Sequence, residues 1–162
     1  MHALHRGGFL HDIGMLAIPD ALLRQAGPLA PAEFELVKSH TVVGDALCRS
    51  LHSLHPVSPI VRHHHERLDG SGYPDGLKGD AIPLVAQIMA VVDHYDAVTT
   101  RRPYQEAKPI DESIETLRQH VRHGWKQHDL VEEFVAVMLS GSLETFKESP
   151  ARNSGSAGST SA

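Results

Sequence analysis

Residues 61–79 read VRHHHERLDGSGYPDGLKG, and few folds can accommodate such a run. Three histidines and a glutamate pass directly into a stretch holding Gly70, Gly72, Gly76, Gly79 and Pro74. A helix must end at the histidines, and residues 68–82 must be loop. Every buried ring nitrogen needs a partner, so tandem imidazoles suit a plain core poorly. They suit a divalent transition metal well.

Elsewhere the apolar spacing is helical and no segment alternates as a strand, so an all-α helical bundle is expected. A first helix should cover about residues 2–14 and carry His11 and Asp12 near its end. A brief helix follows at 19–25, stopped by Gly27-Pro28. One long helix should run from Pro31 through about Leu51, with Phe34, Val37 and Leu47 as apolar anchors and His40 beside them. Ser58 reads as the N-cap of the helix that ends in the histidines. Pro83 opens the next helix, where Ile88, Val91, Val92 and Tyr95 pack and Asp93 lies among them. Two more helices are expected at 110–122, stopped by Gly124, and at about 129–147.

The chain has 162 residues, enough for one domain with a real core, here placed at 1–148. Residues 149–162 are small and polar and read as a disordered tail. A formal net charge of -5 argues against DNA as a partner. A dinucleotide is still compatible, because a metal centre supplies positive charge locally. The 13 histidines are the compositional outlier; His52, His55, His120, His123 and His128 read as surface or capping residues. The single cysteine, Cys48, reads as a small buried hydrophobe and suits a reducing cytoplasm. No run approaches the roughly 20 apolar residues of a membrane span.

Adjacent helical residues point about 100° apart, so His11 and Asp12 can share a metal cluster only if it sits over a helix end. His64 and His65 repeat that arrangement. His40 and Asp93, each on its own helix, would complete a site in the core of a bundle. Asp93 sits within the apolar run IMAVVDHYDAV, where an unpaired charge would be costly.

The ordered series HDIG, KSH, HHERLDGSGYPDGLKG, VVDHYDA and RRPY resembles the HD-GYP family of metal-dependent cyclic di-GMP phosphodiesterases, from about residue 8 to 139. The resemblance implies an HD-superfamily bundle with His11, Asp12, His40, His64, His65 and Asp93 as metal ligands and Asp12 as the bridge. His11 and Asp12 would act in catalysis, while Arg102 and Tyr73 would contact substrate. It further implies two or more divalent transition metals, iron or manganese by donor type. Cyclic di-GMP would be opened to linear pGpG, with GMP from any further cleavage. GGDEF-type or other signalling proteins would dock on the GYP loop, and a homodimer is compatible with such a domain.

Three departures stand out. Met15 replaces a lysine that in the family contacts substrate phosphate, and Gln105 replaces a common second basic contact. Only ten residues precede His11, so an N-terminal truncation is expected, with apolar surface left around Phe9, Leu10 and Leu16. The alternative to an active hydrolase is a degenerate module that binds metal or ligand and signals without turnover.

Overall fold

A computed structural model describes residues 2–25, 27–101 and 106–140. Its helices are α1 (His2–Leu10), α2 (Asp20–Leu23), α3 (Pro31–Lys38), α4 (His40–Ser50), α5 (Ser58–His63), α6 (Leu84–Thr99), α7 (Ile110–Arg122) and α8 (His128–Leu139). Short 3-10 turns lie at Ile13–Ala17, His52–Val57 and Gly79–Ala81. No strand occurs among the described residues, so the all-α expectation holds. Arg102, Gln105 and the 149–162 tail lie outside the described residues.

Two apolar clusters hold the bundle. Cys48, Val57 and Val61 tie α4 to α5, with Leu10, Ile13 and Leu54 packed against them. Val91, Ile114, Leu117, Val131 and Val135 join α6, α7 and α8. Cys48 is buried, as a small hydrophobe should be. Gly124, at φ 73°, ends α7 as its position predicts, its N–H bonding the Val121 carbonyl.

Several expectations need correction. The helix from Pro31 to Leu51 breaks at Ser39, because three consecutive side chains compete for its carbonyls. Ser39 Oγ donates to Leu36 O at 2.6 Å, His40 Nδ1 to Val37 O at 2.6 Å and Thr41 Oγ1 to Lys38 O at 3.0 Å. The break turns His40 inward, to 2% exposure. Phe34, Leu47 and Val92, expected as packing positions, lie largely in solvent. Ser58 caps nothing; it is the first residue of α5, and its hydroxyl donates to the buried Asp45 carboxylate. The first helix stops at Leu10, which leaves His11 and Asp12 on a turn. Phe9 and Leu16 are exposed as anticipated, but Leu10 packs into the first cluster.

The 68–82 loop is held from inside. Buried Glu66 accepts the N–H groups of Asp75 and Leu77 at 2.8 and 3.1 Å. Arg62 grips Asp75 through two bonds of 2.8 Å and reaches Asp45 at 3.1 Å. A Cβ at position 72 would collide with the backbone of Glu66 and Arg67, so only glycine lets the loop lie this close. The Tyr73–Pro74 peptide is cis.

Candidate metal centre

The turn after α1, the start of α4, the end of α5 and the middle of α6 meet between the two apolar clusters. Asp12, His40, His64 and His65 each bring a ligand atom there, all within 4.8 Å of one another. His11 and Asp93 adjoin them: His11 Nε2 lies 3.5 Å from Asp12 Oδ2 and 3.5 Å from Asp93 Oδ1. Asp12 turns its other oxygen, Oδ1, towards His40 Nε2 at 3.3 Å and His64 Nε2 at 3.6 Å. All six residues singled out in the sequence are thus neighbours.

The ring nitrogens show what this arrangement requires. A carbonyl can only accept, so a ring nitrogen facing one must carry the proton. His11 Nδ1 lies 3.0 Å from Gly8 O, His40 Nδ1 2.6 Å from Val37 O, and His64 Nδ1 3.0 Å from Val61 O. In the neutral rings each Nε2 is then a lone pair, and each is aimed at carboxylate oxygen. His40 Nε2 and His64 Nε2 are buried and have no hydrogen-bond partner. Lone pairs facing a carboxylate repel unless a cation lies between them, and a ring N–H fixed on a carbonyl is how metal-binding histidines are oriented. The residues fit a divalent metal.

Without a metal, protons meet part of that demand. The Asp93 carboxylate is the main cause of a His11 pKa raised to about 9, against the opposing effect of burial. Burial alone would raise Asp12, but the facing His40 and His64 rings outweigh it and hold Asp12 well below the usual carboxylate range. Burial drives His65 down to about 3. It also raises the Tyr73 hydroxyl, with help from Asp12 and Asp93.

Beside the centre opens a cavity of about 380 Å³, lined by His64, His65, Asp93 and Tyr73 on the site's side. The Tyr73 ring lies 4.8 Å from that of His65 and 6.5 Å from that of His40. Phe34 and Lys38 form part of the rim, with Lys38 Nζ 4.8 Å from the Phe34 ring centre and 2.7 Å from Glu35. The far wall carries Arg67, His94, His120, Trp125 and Lys126. Nothing local in the sequence marks these residues as one wall, and His120, expected as a surface or capping residue, is half-buried here. In the structure its ring lies 4.2 Å from that of His94, tilted 48° to it, because α7 lays this turn against α6. The WK pair after Gly124 was the available signal. His63 is half-buried, with Nδ1 3.5 Å from Asp75.

These shifts set a pH dependence. Burial lowers His94 and His120 from 6.5 to about 4, so below pH 6.5 the unfolded chain takes up their protons first. Their contribution to stability is complete above pH 6.5 and is lost as the pH falls towards 4. His11 acts in the opposite sense: its contribution is complete below pH 6.5 and is lost as the pH rises towards 9. Between about pH 4 and 8 the metal-free chain should melt highest near pH 6.5 and decline on both sides. Thermal melts followed by circular dichroism would show this, and a curve flat across that range would contradict it.

Comparison with known proteins shows what the chain is similar to. The HD-domain family pattern matches residues 1–127. A cyclic di-GMP phosphodiesterase of Thermotoga maritima is 47% identical over 107 residues, covering 65% of this chain and 29% of that protein. The cyclic di-GMP phosphodiesterase response regulator RpfG of Xanthomonas campestris pv. campestris is 46% identical over 107 residues, covering 65% of this chain and 28% of that protein. The 3'3'-cGAMP-specific phosphodiesterase 3 of Vibrio cholerae is 36% identical over 118 residues, covering 73% of this chain and 26% of that protein. The chain therefore spans less than a third of the length of these relatives. The solved structure of Bd1817, a HDG"Y"P protein from Bdellovibrio bacteriovorus, superposes with a TM-score of 0.65 at 22% identity, covering 85% of this chain and 43% of that one. This last likeness concerns the fold alone. The chain belongs to the HD-domain family and, within it, to the HD-GYP branch. No helix among the described residues is long and apolar enough to cross a membrane.

Proposed function

We propose that residues 1–148 are the catalytic domain of a phosphodiesterase that hydrolyses cyclic di-GMP to linear pGpG in bacterial second-messenger signalling, with GMP from any further cleavage. The observation that carries this reading is the pair of unpartnered Nε2 atoms on buried His40 and His64, both facing one oxygen of Asp12. His11, Asp12, His40, His64, His65 and Asp93 would hold two or more divalent metals, with iron or manganese the best match to mixed imidazole and carboxylate donors. The division of Asp12, Oδ1 towards His40 and His64 and Oδ2 towards His11, supports its role as the bridge. Bound metals supply Lewis acidity and an activated water for in-line displacement at phosphorus.

The chain's own residues orient and shield that reaction. His11 and Asp12 would act in catalysis through the metals they hold, with His11 Nε2 lying between the carboxylates of Asp12 and Asp93. Tyr73 closes one side of the cavity, and its raised pKa keeps the hydroxyl protonated as a donor to substrate. Arg102 is assigned a phosphate contact by analogy with the family. The GYP loop, braced by Glu66 and Arg62, would present a fixed surface to GGDEF-type partners. The domain would work in the cytoplasm, with a homodimer as one possible state.

The test is to load the chain anaerobically with iron or manganese, quantify bound metal, and follow cyclic di-GMP and 3'3'-cGAMP by chromatography. Retained metal with pGpG formation is expected; a chain that retains no metal would defeat the reading. Met15 favours a second reading, a binding module without turnover, because a thioether cannot replace a lysine on phosphate. Met15→Lys is expected to raise turnover by about one to two orders of magnitude, the worth of a charge-assisted hydrogen bond in the transition state. Metal retention without cleavage in either form would leave the module reading standing.

A further inference from the structure

Three cations line the cavity: Lys38, Arg67 and Lys126. Lys38 is paired with Glu35, but neither Arg67 nor Lys126 has a carboxylate within ion-pair distance among the described residues. Lys126 Nζ donates to Ala90 O at 2.6 Å, which uses one of its three N–H groups. Ala90 lies one turn before Asp93 on α6, roughly 4.5 Å along the axis at 1.5 Å per residue. Arg67 lies with its guanidinium carbon 3.9 Å from the centre of the Trp125 ring, and among the described residues its side chain makes only a long bond of 3.4 Å to Ser71. Beside them His94 Nε2 is buried without a partner. A half-buried ammonium with no counter-charge is costly, and its complement is an anion. The two carboxylates on the cavity wall do not meet that need. Glu66 is committed to backbone N–H groups and Asp93 to His11.

We propose that Lys126 and Arg67 form a second phosphate subsite, which holds the phosphodiester that is not being cleaved. This rests on the cyclic-dinucleotide reading above. Such a ligand carries two phosphodiesters on opposite sides of its ring, so the one that is not cleaved needs contacts of its own on the cavity wall. The arrangement divides the work within a chain whose net charge is -5: the metal centre receives the scissile phosphate, and Lys126 with Arg67 sets which cyclic ligand fits. Trp125, the chain's single tryptophan, sits between Arg67 and His123 and reports on this wall.

The experiment follows Trp125 fluorescence while the full chain, metal-free so that no cation holds phosphate, is titrated with cyclic di-GMP, pyrophosphate and guanosine. In Lys126→Met the dissociation constants for cyclic di-GMP and pyrophosphate should rise about 10- to 100-fold, as for loss of a charge-assisted hydrogen bond. Lys126→Arg should restore most of this, and guanosine, which lacks phosphate, should not discriminate between wild type and either variant. Circular dichroism melts identify a variant that has merely lost its fold; Arg67→Gln then provides the same comparison from the other cation. Wild-type affinity in folded Lys126→Met overturns the subsite, as does a wild type that binds neither phosphate probe. Binding that depends on Lys126 in a chain without turnover upholds the subsite and defeats the hydrolase reading. Turnover together with binding independent of Lys126 does the reverse.

Discussion

Asp12→Ala is expected to release bound metal and to lower cyclic di-GMP turnover by about a thousandfold or more. Both oxygens of this one side chain face imidazole nitrogens, Oδ1 those of His40 and His64 and Oδ2 that of His11. Removing it leaves buried rings with lone pairs and no anion to share a cation with. Metal ions contribute several kcal/mol to stabilising charge at phosphorus, and a loss of about 4 kcal/mol is about a thousandfold in rate. The measurement is metal content by elemental analysis beside product formation. Asp12→Ala that keeps its full metal complement and its rate would remove Asp12 from the centre. His128→Ala is a suitable control, because that exposed ring bonds its neighbour Asp129 and lines neither the centre nor the cavity.

Gly14→Ala should produce the largest loss of stability of any glycine-to-alanine change among the described residues. A Cβ there would run into the carbonyl oxygen of His40 and lie 2.7 Å from the backbone nitrogen of Gly44. Both are backbone atoms on α4, so no side chain can swing aside. Relief requires the 3-10 turn and α4 to separate, which also draws Asp12 away from His40. Overpacking of this kind costs roughly 3 kcal/mol or more. For a domain of this size that corresponds to a melting temperature lower by about 6–12 °C. Gly8→Ala is the internal comparison, because a Cβ at position 8 meets nothing within 4 Å and should change the melt little. Equal melting temperatures for the two variants would show that the turn does not bear on α4 as described.

The two parts of the cavity behave differently as electrostatic environments. At the metal centre, carboxylates and imidazoles are arranged so that positive charge must come from outside the chain. On the far wall, burial lowers Lys126 to about 8 and its nearest oxygen is a backbone carbonyl, so the demand is for negative charge. A ligand with phosphates at both ends satisfies both walls at once, which neither a lone cation nor a neutral nucleoside can do.

Much of this was legible in the residues themselves. Apolar spacing identified the helices, Gly124 marked a helix end, and glycines packed between histidines and Pro83 marked the loop. Tandem histidines and an aspartate in an apolar run pointed to His64, His65 and Asp93, while His11, Asp12 and His40 came with the resemblance of HDIG and KSH to the family, and the fold brings all six together. These signals are local, set by backbone conformation and by the cost of burying a polar group. Tertiary structure decided what local signals cannot carry. Only in the fold does the break at Ser39, made by local side-chain bonds to Leu36, Val37 and Lys38, take on its meaning, because it turns buried His40 towards Asp12. Only there does Ser58 leave its capping role for Asp45, and do His94, His120, Trp125 and Lys126 become one wall. Those four come from α6, α7 and the turn after α7, with His94 far before the other three in the chain. Their meeting depends on how Val91, Leu117 and Val131 pack, and side-chain packing between distant helices leaves no periodic trace in the chain.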